Sequence, residues 1–256
     1  MMSARSIRIL QAAVSMLALA AAWQILSSFF PPFLFPPVPE IISRTVEILV
    51  TGSLLIDVLL TAGRIFAGLL GAFVLGALLA LVIGRSKTVE NFATPILTFF
   101  QGIPALSWVV FAIIWFHGIE TRVLFIMIMT TLPAFTFQIL DAIRSMSKDL
   151  FEMTISFRPS RWTLFRFLVV PTIVPGILTA WKVNLGNAAR VVVVAELVGA
   201  TGGVGYQLLR QQQLFDMAGA MAWTLQLVLF VLIVQQTINA IEAWALRYRA
   251  VSERAM

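Results

Sequence analysis

The residues of this sequence that could do chemistry are few and dispersed. His117 is the only histidine and cysteine is absent, which excludes disulfides, thiolate metal sites and histidine-based metal clusters. The three lysines are Lys87, Lys148 and Lys182, and none follows the glycine-rich order of a phosphate-binding loop. The sequence therefore predicts no metal site, no catalytic residue and no hydrolysis of ATP by this chain.

Polar residues concentrate in one long apolar stretch near the C-terminal third of the chain. They are Lys182, Asn184, Asn187, Arg190 and Glu196. A charge at the centre of a bilayer costs about 3 kcal/mol or more, so these side chains should face protein or water. Lys182 and Glu196 are nearly four helical turns apart, too far to pair directly. Two interpretations remain open. These residues line a solute path, or they have a structural role in which Lys182 and Arg190 snorkel to the membrane surface or neutralise charge on a neighbouring helix.

The stretch that carries these residues is one of several apolar runs. Of the 256 residues, 60% are hydrophobic and 12% are charged, whereas a soluble domain has about 25% charged residues. The sequence predicts an all-α, polytopic membrane helical bundle over residues 1–256, a single domain. About six spanning helices are expected, at 9–30, 58–84, 96–116, 123–140, 167–197 and 218–241.

The basic residues are distributed unevenly between the two sides of this bundle. Of the 18 Lys and Arg residues, twelve fall in segments that would share one side, three fall on the other, and three lie within spans. The positive-inside rule therefore predicts that both termini are cytoplasmic. A cleaved signal peptide is the alternative for the first run, which is longer than a typical signal core. Prolines of residues 31–39 then form an outer linker, and residues 40–50 have the pattern of a short interfacial helix.

A row of small residues marks one face of the second span. Its members recur at every fourth position and are Gly68, Ala72, Gly76, Ala80 and Gly84. Such a row lets another backbone approach closely, either within the subunit or from a second copy. Later spans contain Pro104, Pro133, Pro171 and Pro175, which should break or kink them beside a cavity. The glycine-rich residues 199–205 lack the order of a nucleotide-binding motif, and we expect a flexible outer loop there.

The longest segment between spans on the basic side is 141–166. It has the pattern of two short helices, over 149–157 and 160–166, separated at Arg158 and Pro159 because a residue before proline disfavours the helical conformation. Ser160 is a candidate N-cap. Phe157 and the aromatic residue Trp162 would be exposed beside arginines, which indicates a cytoplasmic protein partner or, alternatively, contact with the membrane surface.

At this segment the chain resembles the membrane-spanning subunits of bacterial ATP-driven, binding-protein-dependent importers. These proteins carry a so-called EAA loop, which begins here at Glu152-Met153-Thr154 and ends at Val169-Val170-Pro171. Further pieces of the resemblance follow in order along the chain, at 35–40, 101–104, 114–119, 194–197 and 203–206. The ordered set looks like the taurine, sulfonate and nitrate branch of that family.

The resemblance implies a permease subunit in the bacterial inner membrane. Two copies of the chain, as a homodimer, would enclose the path in the bilayer, two cytoplasmic ATPases holding ATP and Mg²⁺ would drive it, and an external solute-binding protein would deliver a small, anionic solute. The chain itself would need no cofactor and bind no nucleic acid. Gln101 and Pro104 join the path candidates. The residues implied in ATPase coupling are Glu152, Phe157, Arg158, Pro159, Ser160 and Arg161.

Two departures from the family pattern bear on this coupling loop. Met153 and Thr154 replace two alanines, and Arg158 replaces a glycine, so the turn between the loop helices should differ. Two rival functions stay open. A self-sufficient secondary transporter or channel predicts inverted repeats and intramembrane carboxylates, and an integral membrane enzyme predicts catalytic groups clustered at one interface.

Overall fold

The computed structural model describes residues 4–245, with side chains placed for 10–244 except at residue 53. This part of the chain contains helices and no strand, which confirms the predicted all-α fold. The helices are α1 (Ala4–Ser27), α2 (Val38–Val50), α3 (Gly52–Ile83), α4 (Lys87–Gly102), α5 (Ala105–Trp115), α6 (Ile119–Arg144), α7 (Lys148–Ser156), α8 (Arg161–Leu164), α9 (Val170–Leu197), α10 (Val204–Gln213) and α11 (Met217–Ala245). A π-helical segment, Phe165–Val169, joins α8 to α9. Arg247, Arg249 and Arg254, which belong to the predicted inner basic set, lie outside the described residues.

Within residues 4–245, five helical stretches are long and apolar enough to cross a membrane, and a bent pair of helices supplies a sixth. The five contain α1, α3, α6, α9 and α11, and the bent pair is α4 with α5. The span predicted over 96–116 is broken, as expected at Pro104, and its first helix begins earlier than predicted. The chain begins α4 at Lys87, ends it at Gly102, and turns by 91° into α5. Pro104 explains the turn because it has no N–H and forces Ile103 out of the helical region.

The long helices α3, α6 and α9 form the centre of the bundle. Helix α3 packs most extensively against α6, and α6 packs against α9. Their shared core is apolar and includes Leu69, Phe135 and Val192, all fully buried. Burying such side chains stabilises each contact through dispersion and close packing rather than through water exclusion, since lipid is itself apolar.

The row of small residues on α3 lies against α6 of the same chain. Ala72 and Ala80 are fully buried there. A Cβ added at Gly68 would lie 2.5 Å from the Cβ of Met127, and one at Gly76 would lie 3.1 Å from the Cβ of Phe135. The two helices therefore approach so closely that a side chain larger than hydrogen would clash at Gly68 and would be tightly packed at Gly76.

Two ends of the bundle can be distinguished by their short helices. The α7 end carries α7, α8 and the turns around Arg85 and Arg144. The α10 end carries α2, α10 and the first turns of α3, α6 and α11.

Two further features differ in part from the expectations. Of the break or kink expected at Pro133 and Pro175, no break occurs, because α6 and α9 continue through these residues. Tolerance of proline inside a membrane helix is explained when nearby groups satisfy the freed carbonyls. The glycine-rich loop expected over 199–205 is shorter than predicted, because α10 begins at Val204 and occupies much of the region between α9 and α11.

The short helix predicted over 40–50 is present as α2 and packs on α11 at the α10 end. Gln226 of α11 donates a hydrogen bond of 2.7 Å to the backbone carbonyl of Thr45. Arg44 donates to Glu47 at 3.1 Å, and this bond, helped by the nearby charge of Asp216, raises the pKa of Arg44. The surface of α2 is thus tied to α11 by both a buried hydrogen bond and exposed charges.

Candidate functional site

A small cavity lies at the break between α4 and α5. Its volume is about 260 Å³, and its lining includes Gln101, Pro104, Thr130, Asn187 and Val191. Three residues predicted from sequence as path candidates, Gln101, Pro104 and Asn187, are therefore brought together by α4, the break and α9. The break leaves backbone groups without helical partners, and the amide side chains add further donors and acceptors. The cavity can hold a polar solute or water.

The other polar residues of α9 lie in different surroundings. Lys182 forms an ion pair with Glu242 of α11. Asn184 is only 1% exposed and donates to the side-chain oxygen of Gln138 at 2.6 Å and to the carbonyl of Ala180 at 2.9 Å. Both residues are thus engaged inside the subunit, and a role in the path stays a prediction for each of them.

Arg190 is the exposed cation of α9. Its Nε donates to the carbonyl of Gly186, one turn back, at 3.0 Å. Asn187 and Val191, the residues that line the cavity at the break, flank it in the sequence. An arginine at this position can attract and bind an anion through the remaining N–H groups of its guanidinium.

Glu196 lies in a buried network at the α10 end rather than on an open surface. It is 1% exposed and accepts a hydrogen bond of 2.7 Å from Nη1 of Arg64. The hydroxyl of Thr61 donates to it at 2.9 Å, and the backbone N–H of Gly205 donates at 2.8 Å. The carboxylate is thus fully engaged, as a buried charge must be.

Arg64 extends this network to a third helix and to the glycine-rich segment. Its Nη2 lies 2.5 Å from the carboxylate of Glu120, at the start of α6. Its Nη1 also donates to the carbonyl of Gly202 at 2.8 Å. One guanidinium therefore joins α3, α6 and α9 with the segment between α9 and α10, using the planar array of donors that arginine provides.

The glycines before α10 are explained by the same network. Gly203 has φ of 111°, and its N–H donates to Asp57 at 2.7 Å. A Cβ at Gly203 would lie 2.5 Å from a carboxylate oxygen of Glu196, and one at Gly205 would lie 2.5 Å from the carbonyl of Val193. Only glycine fits both places, so the Gly203-Val204-Gly205 pattern serves a close backbone approach and no nucleotide.

Sequence reasoning missed the α3 half of this network. Asp57, Thr61 and Arg64 are spaced by four and three residues, so they lie on one face of α3. This spacing of polar residues in an apolar run was the sequence signal that could have indicated the α3 half of the network. Their partners could not be identified from the sequence, because Arg64 and Glu196 are separated by 132 residues.

The segment between α6 and α9 lies at the α7 end, and each of its two helices has a serine N-cap, of which Ser160 was predicted and Ser147 was not. Ser147 accepts a hydrogen bond from the N–H of Leu150 at 3.5 Å, and Ser160 accepts one from the N–H of Thr163 at 3.1 Å. Helix α7 is as long as the predicted 149–157 but begins one residue earlier, whereas α8 is shorter than the predicted 160–166 because the π-helical segment begins at Phe165.

This segment, residues 148–164, presents its side chains to the surroundings. Neither α7 nor α8 buries a residue, and Phe157 and Trp162 are 79% and 66% exposed. Arg158 has φ of 46°, a left-handed conformation that glycine adopts without cost. The coupling candidates Glu152, Arg161 and Ser160 are also exposed. An exposed aromatic pair beside arginines is the composition of a protein interface.

The architecture has solved counterparts among transport proteins. The inward-facing MetNI methionine ABC transporter contains a chain that superposes with a TM-score of 0.62 at 16% identity, covering 77% of this chain and 99% of that one. At this identity the match shows the fold alone. It defines the fold as a helical bundle shared with a chain of that transporter.

Sequence comparison defines the family. The profile of the binding-protein-dependent transport system inner membrane component matches residues 72–245, and the chain belongs to this family. The formylaminopyrimidine transport permease protein ThiX of Halalkalibacterium halodurans is 29% identical over 221 residues, which are 85% of this chain and 87% of that protein. The taurine transport system permease protein TauC of Escherichia coli is 27% identical over 145 residues, or 57% and 53% of the two chains. The resemblance to importer permeases of the taurine and sulfonate type is thereby confirmed.

Proposed function

We propose that this chain is half of the translocation path of an ATP-driven importer in a bacterial inner membrane. Two copies of the chain enclose the path, two cytoplasmic ATPases drive it, and an external solute-binding protein delivers the solute. Membership of the family supports the class of function. The concentration of basic residues at the α7 end supports an orientation with this end and both termini in the cytoplasm.

The exposed aromatic pair of residues 148–164 is the observation that carries this proposal. The segment lies outside the bundle core, and α8 continues through the π-helical segment into α9. A partner that binds Phe157 and Trp162 therefore transmits its motion directly to α9, the helix that carries Asn187 and Arg190. The ATPases supply ATP and Mg²⁺, and the motion of their closure reaches the path through α9.

Alanine variants of residues 148–164 test this coupling. Phe157→Ala and Arg161→Ala should each lower transport and the membrane-dependent part of ATP hydrolysis together, because truncating an interface anchor commonly costs about 2 kcal/mol or more. Lys148→Ala, at the far end of α7, is the matched control and should keep the parental rates. Parental hydrolysis and transport in both test variants would exclude the segment as the coupling element.

The solute that fits this path best is a small anion. Arg190 is exposed on α9, and Gln101 and Asn187 line the adjoining cavity. Relatives include the taurine permease named above and a putative aliphatic sulfonates transport permease protein of Bacillus subtilis, 26% identical over 196 residues. Calorimetric titration of the external binding protein with sulfonates, carboxylates and a neutral pyrimidine tests the class. Tight binding of the neutral compound alone would refute an anionic solute.

A further inference from the structure

The lining of a groove between α3, α4 and α6 changes from apolar to basic along its length. Towards the middle of the bundle lies an apolar cavity of about 360 Å³, and next to it at the α7 end lies a second cavity of about 310 Å³ whose lining includes three basic residues. We propose that this groove binds one anionic phospholipid, with an acyl chain in the apolar part and the phosphate among the basic side chains. The apolar part adjoins the path cavity, since Phe100 lines both, whereas residues 148–164 line neither part of the groove. The proposal does not depend on the proposed function.

The apolar part is lined only by apolar side chains. Leu79 and Ile83 of α3, Ala93 and Leu97 of α4, and Leu132 of α6 are among its lining residues. A cavity of this kind, lined by leucine and isoleucine, excludes water and accepts an apolar ligand. In a membrane protein the apolar ligand at hand is a lipid chain.

The basic part carries a surplus of positive charge. Arg85, Lys87, Glu90 and Arg144 line it. Glu90 accepts from Nη2 of Arg144 at 2.7 Å and from Nζ of Lys87 at 3.3 Å. Three cations therefore face one carboxylate, which leaves about two positive charges and free guanidinium donors. Arginine binds phosphate oxygens in bidentate fashion, and basic pockets between membrane helices bind anionic headgroups.

The two parts are continuous on two of the three helices. On α3, Ile83 lines the apolar cavity and the next residue, Gly84, lines the basic one. On α4, Glu90 of the basic cavity is one turn from Ala93 of the apolar cavity. A soluble phosphate would use only the basic part, whereas a phospholipid fills both, so the joined pair of cavities favours the lipid.

The test measures phosphatidylglycerol bound to the purified protein, in the assembly in which it is isolated, by native mass spectrometry and by competition in nanodiscs against phosphatidylcholine. Arg85→Gln with Lys87→Gln should weaken phosphatidylglycerol binding roughly 25-fold, because each cation near an anionic headgroup contributes about a factor of five. Lys148→Gln with Arg166→Gln removes two cations at the same end but outside the groove. This control should retain parental binding.

A second variant separates the lipid from other occupants. Ala93→Phe fills the apolar part without changing charge, and it should also reduce bound phosphatidylglycerol, while glycerol phosphate added in solution should not compete. Equal loss in the control pair, competition by glycerol phosphate, or parental binding in Ala93→Phe would each overturn the proposal. Disulfide crosslinking of two copies through Ala93→Cys would overturn it too, because the groove would then be an interface between copies.

Discussion

Arg158 occupies a backbone conformation that few non-glycine residues adopt. Its φ is 46°, and the permeases that the sequence resembles have a glycine at this place in the loop. Holding a non-glycine residue there costs about 1 kcal/mol or more. A residue in the left-handed conformation therefore joins α7 to α8, and the expected difference from the family's turn stays a prediction.

Two neutral substitutions separate the turn from the charge of Arg158. Arg158→Asn should retain the turn because asparagine tolerates the left-handed region, whereas Arg158→Val should lose it because β-branched residues are strongly disfavoured there. Association with the ATPase, measured by co-purification, should therefore be several times weaker for valine than for asparagine. Equal association of the two variants would mean that this backbone conformation is not required.

The Arg64–Glu196 pair predicts a strong coupling between two distant positions. Arg64→Met leaves a buried carboxylate without its cation, which commonly costs about 3–5 kcal/mol in a protein interior. Arg64→Met with Glu196→Gln should be more stable than Arg64→Met alone, measured by thermal unfolding in detergent, because no uncompensated charge remains. Additive losses in the two single variants and the double variant would show that the pair is not energetically coupled.

At the scale of elements, apolar runs predicted where the long helices lie, and proline predicted the break at residue 104. The size of the bend and the start of α4 at Lys87 could not be predicted, because residues 87–95 are too polar to be recognised as part of a span. Helix α10 was missed because its glycine-rich start indicates a loop. In the structure, Glu196 and Asp57 accept hydrogen bonds from the backbone N–H groups of Gly205 and Gly203 at this start.

The contact between α3 and α6 can be tested with two glycines of one helix. Gly68→Ala places a methyl group 2.5 Å from the Cβ of Met127, whereas a Cβ at Gly63 has no atom within 4 Å. Overpacking of this kind costs about 1–3 kcal/mol, and an alanine without a clash favours the helix by about 0.5–1 kcal/mol. Gly68→Ala should therefore lower the melting temperature, and Gly63→Ala should keep or raise it. The reverse order would contradict the close approach of α3 and α6.

At the scale of the whole molecule, one continuous helical stretch, Arg161–Leu197, connects the two ends of the bundle. It begins at Arg161 in the exposed segment, passes the path residue Asn187, and ends near Glu196 in the buried network with Arg64. A displacement imposed at the α7 end would thus reach the segment before α10 along a single helix. This arrangement suits a protein that opens its two ends alternately, which requires two packed states of similar energy.

The most direct test of the account is reconstitution of solute uptake in proteoliposomes. The chain is combined with an ATPase and a solute-binding protein encoded beside it, and uptake of the binding protein's ligand is followed with each component omitted in turn. The account predicts uptake only when ATP, the ATPase and the loaded binding protein are all present, and none with the chain alone. Uptake by the chain alone, driven by an ion gradient, would contradict it and identify a secondary transporter.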